Sequence, residues 1–215
     1  MPVIRHKNQR VAILLDVQNL YHSAKNLYGA RVNFANILKQ GTAGRQLIRA
    51  VAYVIATESG EEKGFFEALQ KIGIELKVKD LQIFPGGIKK ADWDVGLAVD
   101  AIRLANLVDA VIIVSGDGDY IPLIEYIRSA MGVQVEVMSF GRSTSGRLKE
   151  TADDFTDLGA EPEKYTIRIP QRLLGGYNRP RRGGGQRNGG DAENHAPLNN
   201  QELLSNQEET PREEE

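Results

Sequence analysis

The chain has 215 residues, with 27 Lys+Arg against 29 Asp+Glu and no cysteine. Without cysteine, neither a disulfide framework nor a zinc–thiolate site can form. No apolar run approaches the roughly 18 residues that span a bilayer. The opening Met1-Pro2-Val3-Ile4-Arg5-His6-Lys7 lacks the apolar stretch of a secretory signal, so the sequence reads as cytoplasmic and without membrane association.

Val11–Leu15 is a continuous apolar run that ends on Asp16, with Asn19 three residues further on. Such a run predicts a strand buried on both faces. Helices are expected over Leu20–Tyr28 and Phe34–Lys39, with Asn33 as a cap for the second. Leu47–Ala56 reads as a second strand, and Glu61–Ile72 as a helix stopped by Gly73. Ile74–Ile83 is strand-like with alternating charge, which suits an exposed edge or a hairpin, and Pro85-Gly86-Gly87 reads as a loop. Asp92 is placed to cap a helix that runs to about Leu107. Ala110–Ser115 is the next strand and Tyr120–Met131 the next helix. Val133–Ser139, Ser143–Ala152 and Phe155–Leu158 follow as strand, short helix and short strand.

Alternating strands and helices imply βαβ units and a mostly parallel sheet, an α/β Rossmann-like three-layer sandwich. Right-handed crossovers bring the strand C-termini to one edge, where open α/β sheets bind ligands. Asp16, Thr57, Ser115, Asp117 and Ser139 are expected to crowd that edge. The most informative stretch is Ser115-Gly116-Asp117-Gly118-Asp119, which follows the apolar run Val111–Val114. A third acidic site, Asp92-Trp93-Asp94, opens a strongly helical segment.

Asp16, Asp94, Asp117 and Asp119 form the favoured constellation, as catalytic and metal-ligating residues. Several gathered carboxylates repel one another unless protons or a cation neutralise them. Their hard oxygens suit Mg²⁺ or Mn²⁺. Each acid also has a plainer reading. Asp117 or Asp119 can cap the Tyr120 helix, and Asp94 can be a first-turn acid that favours the helix dipole. Asp92 reads as a cap, and Asp100 as a packing or surface acid paired with Arg103.

Asn19 either orients a substrate phosphate or caps the first helix. Ser115 either touches a ligand or holds its turn. Lys90 can bind phosphate or remain solvated, and Trp93 either stacks a base or packs in the core. Ser143-Thr144-Ser145 can present N–H groups to phosphate or only cap a helix. No nucleophile–histidine arrangement and no phosphate-cradling Gly-x-x-x-x-Gly-Lys motif occurs.

Residues 1–170 carry balanced charge. Beyond them lies an acid-free stretch with Arg172, Arg179, Arg181, Arg182 and Arg187 among glycines, followed by an acidic terminus. Few apolar residues occur there, so 171–215 is expected to be disordered. Arginine forks suit phosphate, and Arg179, Arg181 and Arg182 are candidate RNA contacts.

Three motifs carry a family resemblance: Leu14-Leu15-Asp16-Val17-Gln18-Asn19-Leu20, Lys90-Ala91-Asp92-Trp93-Asp94-Val95-Gly96-Leu97-Ala98-Val99-Asp100 and Ser115-Gly116-Asp117-Gly118-Asp119-Tyr120. Together they resemble the NYN domain family, in particular its LabA-like group within the PIN-like nucleases. The resemblance covers about residues 10–160. It implies a Rossmann-like nuclease fold and metal-dependent ribonuclease activity. Asp16, Asp94, Asp117 and Asp119 match the acidic pocket, and Asn19 its polar partner. RNA is then the expected partner, and a homo-oligomer is left open. The alternative is a non-catalytic RNA-binding or regulatory protein on a nuclease-like fold, and a phosphomonoesterase is a weaker third reading.

Overall fold

The computed structural model describes residues 3, 5–57, 62–83, 89–90 and 92–168. The chain forms a six-stranded parallel sheet built from β1 (Arg10–Asp16), β3 (Gln46–Ala56), β4 (Glu75–Asp80), β7 (Ala110–Val114), β8 (Gln134–Ser139) and β9 (Asp154–Asp157). Their order is β4-β3-β1-β7-β8-β9. Helices α1 (Val17–Tyr28), α2 (Phe34–Thr42), α3 (Lys63–Lys71), α4 (Asp94–Ala105), α5 (Ile121–Met131) and α6 (Gly146–Thr151) connect them. The α/β three-layer architecture expected from the sequence is therefore present.

The two central strands show why the sheet needs cover on both sides. Val11–Leu15 and Ala110–Val114 are fully buried. Val11, Ile13, Leu15, Ala110, Ile112 and Val114 pack with Leu20, Ile37 and Leu69 of α1, α2 and α3. Ala12, Leu14, Val111 and Ile113 pack with Leu97, Ile124 and Leu148 of α4, α5 and α6. Each buried aliphatic side chain contributes about 1.5–3 kcal/mol. The helix after β1 covers one face and the helix after β7 covers the other. The crevice between the C-terminal ends of β1 and β7 is thus the topological switch point of the sheet.

A second, two-stranded sheet joins β2 (Ala30–Val32) to β10 (Thr166–Arg168), the latter following α7 (Pro162–Tyr165). The strand-like segment 74–83 splits in two: β4 is an edge strand, while β5 (Gln82–Ile83) pairs antiparallel with β6 (Lys89–Lys90). By its contacts Leu81–Lys90 falls outside the unit that holds the parallel sheet. The proposed tail from 171 onward lies outside the described residues.

Two details differ from the sequence reading. First, α1 begins at Val17, immediately after the strand, because Asp16 itself is its N-cap. Second, α4 begins at Asp94 with Trp93 at the N-cap position and no side-chain cap, so Asp92 does not cap it.

One carboxylate in β8 is buried with full compensation. Arg45 and Glu136 are 1% and 3% exposed at the side chain and form a bidentate ion pair. Glu136 also accepts from Arg5 at 2.9 Å and from Gln134 at 2.6 Å. Arg45 also donates to the carbonyls of Thr42 and Gly41. Removing one partner of such a pair strands the other charge and costs about 3–5 kcal/mol. Glu136→Gln should therefore lower the melting temperature by about 10 °C, taking about 2–4 °C per kcal/mol for a domain of this size. Replacing both residues with apolar ones of similar volume should recover most of the loss. Thermal melts of the three variants check this, and a Glu136→Gln shift of only a degree or two contradicts it.

Candidate active site at the sheet switch point

Asp16 terminates a fully buried strand and caps the helix that follows it, so its position is dictated by the core. Its Oδ1 accepts the backbone N–H of Asn19 at 3.1 Å. Its Oδ2 accepts the Ser115 hydroxyl at 3.0 Å, which links the ends of β1 and β7. Asn19, one turn into α1, accepts the Gly116 N–H at 2.9 Å through Oδ1. That contact leaves the Asn19 Nδ2 donors without a partner among the described residues.

The Ser115–Asp119 turn is tightly specified. Ser115 is 0% exposed, and its Oγ also accepts from the Asp117 N–H at 3.2 Å. Donating to Asp16 and accepting from Asp117, the Ser115 hydroxyl positions both acids and so holds the turn, the second of its two expected roles. A Cβ on Gly116 would lie 2.7 Å from Ser139 Oγ and 3.0 Å from the Ser143 carbonyl, so only glycine lets this turn press against the 139–145 segment. Asp117 caps the 3-10 turn Gly118–Tyr120, its Oδ1 accepting the Asp119 N–H at 2.9 Å. The cap reading of Asp117 is thus correct as geometry, and its second oxygen is free for another role. Asp119 is exposed.

Asp94 reaches the same edge from the start of α4. The Tyr120 hydroxyl donates to its Oδ1 at 3.0 Å. Trp93 fixes the chain just before it: its Nε1–H donates to the Val54 carbonyl at 2.9 Å, and its ring meets Tyr53 edge-on at 5.5 Å. A Cβ on Gly96 would come within 2.6 Å of the indole, so this glycine makes room for the ring. Trp93 therefore packs against the core. Asp100, 8% exposed, is a packing acid, held by Lys77 at 2.6 Å and Tyr53 at 2.8 Å, with Arg103 only at 4.0 Å. Ser145 caps α6 through its hydroxyl.

Charge dominates the site. Burial pushes the Asp16 pKa up to about 6; the Asn19 and Ser115 donors oppose the rise, and the nearby charges of Asp94 and Asp117 add to it. Burial also raises Asp94, opposed by the Tyr120 donor and reinforced by Asp117, Asp92 and Asp119. Asp16, Asp94 and Asp117 thus feel one another's charge. Among the described residues no Lys or Arg forms an ion pair with any of these acids or with Asp119. No three of them, or of any other acids and histidines described, are grouped closely enough to cage a metal unaided.

Among the other expected site residues, Lys90 lies in β6, with its side chain outside what the structure describes. Arg179, Arg181 and Arg182 fall outside the described residues altogether. No described helix is long and apolar enough to cross a membrane. Tyr120 is a site residue that sequence reasoning passed over. Its one signal was its place directly after Asp119.

Comparison with known proteins agrees with this geometry. The chain is 25% identical over 158 residues to the low amplitude and bright protein LabA of Synechococcus elongatus, across 69% of this chain and 83% of LabA. A crystal structure of a protein of unknown function from Vibrio parahaemolyticus superposes with a TM-score of 0.69 at 32% identity, covering 77% of this chain and all of that one. The model of the NYN domain matches residues 10–159, the span that carries the whole parallel sheet and all four acids. The chain belongs to the NYN domain family.

Proposed function

We propose that the protein is a metal-dependent ribonuclease that hydrolyses RNA phosphodiester bonds at the β1/β7 crevice. The observation that carries this reading is a set of four carboxylates at the switch point, none of them ion-paired with a Lys or Arg among the described residues. Family membership supports a nuclease-like fold with an RNA-related role. The donor set fits a hard divalent cation, Mg²⁺ or Mn²⁺. Mg²⁺ commonly binds through one or two carboxylates and completes its shell with water and substrate phosphate, so the lack of a ready-made cage is compatible with it.

Of Asp16, Asp94, Asp117 and Asp119, one or two would touch the cation directly and the others would reach it through its bound water. Bound there, it would activate water and stabilise charge developing on the phosphate. The chain's own residues do the rest. Ser115 and the Asn19 N–H orient Asp16. The Asn19 amide, pinned by Gly116, offers its Nδ2 donors to a phosphate oxygen.

A second reading keeps RNA binding without turnover. The spacing of the acids, none grouped in threes, favours it. The two readings separate in one assay of labelled RNA with a Mg²⁺ and Mn²⁺ series. Cleavage is expected, and Asp117→Asn should slow it on the order of 10³-fold, the effect of about 4 kcal/mol of lost transition-state stabilisation. Asparagine keeps the oxygen that caps Asp119, so the turn survives. RNA binding with no cleavage under any metal supports the non-catalytic reading instead.

The raised Asp16 pKa has a consequence for the metal-free protein. The folded value of about 6 lies above the ordinary 3.8, so this group's stabilisation is fully present below about pH 3.8 and is lost as pH rises through about 6. Asp16→Asn should remove that loss. Melted side by side in chelator, the variant should exceed wild type by a few degrees at pH 7 and match it near pH 4. A variant less stable than wild type at pH 7 contradicts the charge argument.

The arginine stretch is proposed to add RNA affinity without taking part in the chemistry. Each arginine–phosphate contact on a single strand adds a salt slope of roughly −0.7. Truncation after Pro170 should raise KM, flatten the salt dependence and leave kcat nearly unchanged. Equal RNA affinity of the truncated and full chains at low salt overturns this role.

A further inference from the structure

Asp94 differs from the other three acids in how it is held. Asp16 and Asp117 are fixed by backbone N–H donors at the caps of their own elements. Asp94 opens α4, whose N-terminus has no side-chain cap. Among the described residues, the Tyr120 hydroxyl is the one hydrogen-bond donor to its carboxylate, at 3.0 Å on Oδ1. Oδ2 is left free.

Tyr120 is itself immobile. It is 2% exposed and packs among Leu97, Ile121 and Ile124. Its backbone ends the 3-10 turn that Asp117 caps. The phenol therefore connects the Asp117–Asp119 turn to the start of α4, 26 residues earlier and on the other side of β7 in the chain. A neutral donor is the group that can serve here: it satisfies one carboxylate oxygen without cancelling the charge a cation needs. Partners of this kind orient metal-ligating carboxylates, and losing one commonly costs 10–100-fold in metal affinity or activity.

We propose that Tyr120 is the positioning residue for Asp94, setting the orientation in which that carboxylate meets a divalent cation. This rests on the metal reading of the site given above. Tyr120 does not touch substrate. Its hydroxyl acts only through Asp94.

Tyr120→Phe tests the idea, since it removes the hydroxyl and keeps the ring in the core. Calorimetric titration of the full chain with MnCl₂ should show the variant binding at least 10-fold more weakly than wild type. With RNA, kcat at fixed Mn²⁺ should fall while KM stays close to wild type. The effect should vanish in an Asp94→Asn background, because the phenol then has no carboxylate to orient. A purely structural role would lower the melting temperature and persist in that background. Equal Mn²⁺ affinity of wild type and Tyr120→Phe overturns the proposal while leaving the metal site standing. A flat titration of the wild type overturns the metal reading and this proposal with it.

Discussion

Five residues of β1, Val11–Leu15, are sealed from solvent between two helical layers, and the carboxylate that follows them moves only if the core moves. The strand hands over to α1 without a loop, so Asp16 is strand end, helix cap and site residue at once. Ser115 stands in the same relation to β7, and the hydrogen bond between the two joins the central strands at their functional edge. Everything else at the site is referred to this pair. Asn19 holds Gly116, Ser115 holds Asp117, and Asp117 holds Asp119. A relay of short local bonds carries the rigidity of the sheet into an exposed turn.

The molecule treats two sheet carboxylates, the buried Glu136 and the half-buried Asp16, in opposite ways. Glu136 is enclosed by Arg45, Arg5 and Gln134, so its charge is matched where it lies. Among the described residues Asp16 receives two neutral donors and no cation, and it has two further acids in its field. Burial without a counter-charge disfavours the ionised form, and a fold that needed only stability would have no use for the second arrangement. Strain of this sort concentrates where ligands bind. The charge deficit at Asp16 and the charge balance around Glu136 are thus two different settings for a carboxylate in one sheet, and the first is the one the proposed cation would relieve.

Much of this was legible in the sequence, and the limits have physical causes. The runs ending at Asp16 and Ser115 are read easily, since strands covered on both faces need unbroken apolar stretches. The convergence of Asp16 and Asp117 then follows from parallel topology alone. Asp94 was reached through its motif, but Asp92 was assigned the cap because aspartate commonly takes that position; here Trp93 occupies it and is held from β3 through Val54. Tyr120 was unreadable because its partner lies across the fold, and the Arg45–Glu136 pair for the same reason. The small β2–β10 sheet is made of three-residue strands with no period to detect. For Ser115 the sequence offers a ligand contact or a turn-holding role, and of the bonds to Asp16 and Asp117 that give it the second, the one to Asp16 joins strands from distant parts of the chain.

The central claim is that the acids at the β1/β7 crevice are completed by a divalent cation. Crystals grown with MnCl₂ and measured at a wavelength where manganese scatters anomalously test it most directly. A strong anomalous peak within bonding distance of Asp16 and at least one of Asp94, Asp117 and Asp119 is expected, with water filling the remaining positions. No peak at that edge, or a lysine or arginine side chain lying among the acids in its place, would contradict it.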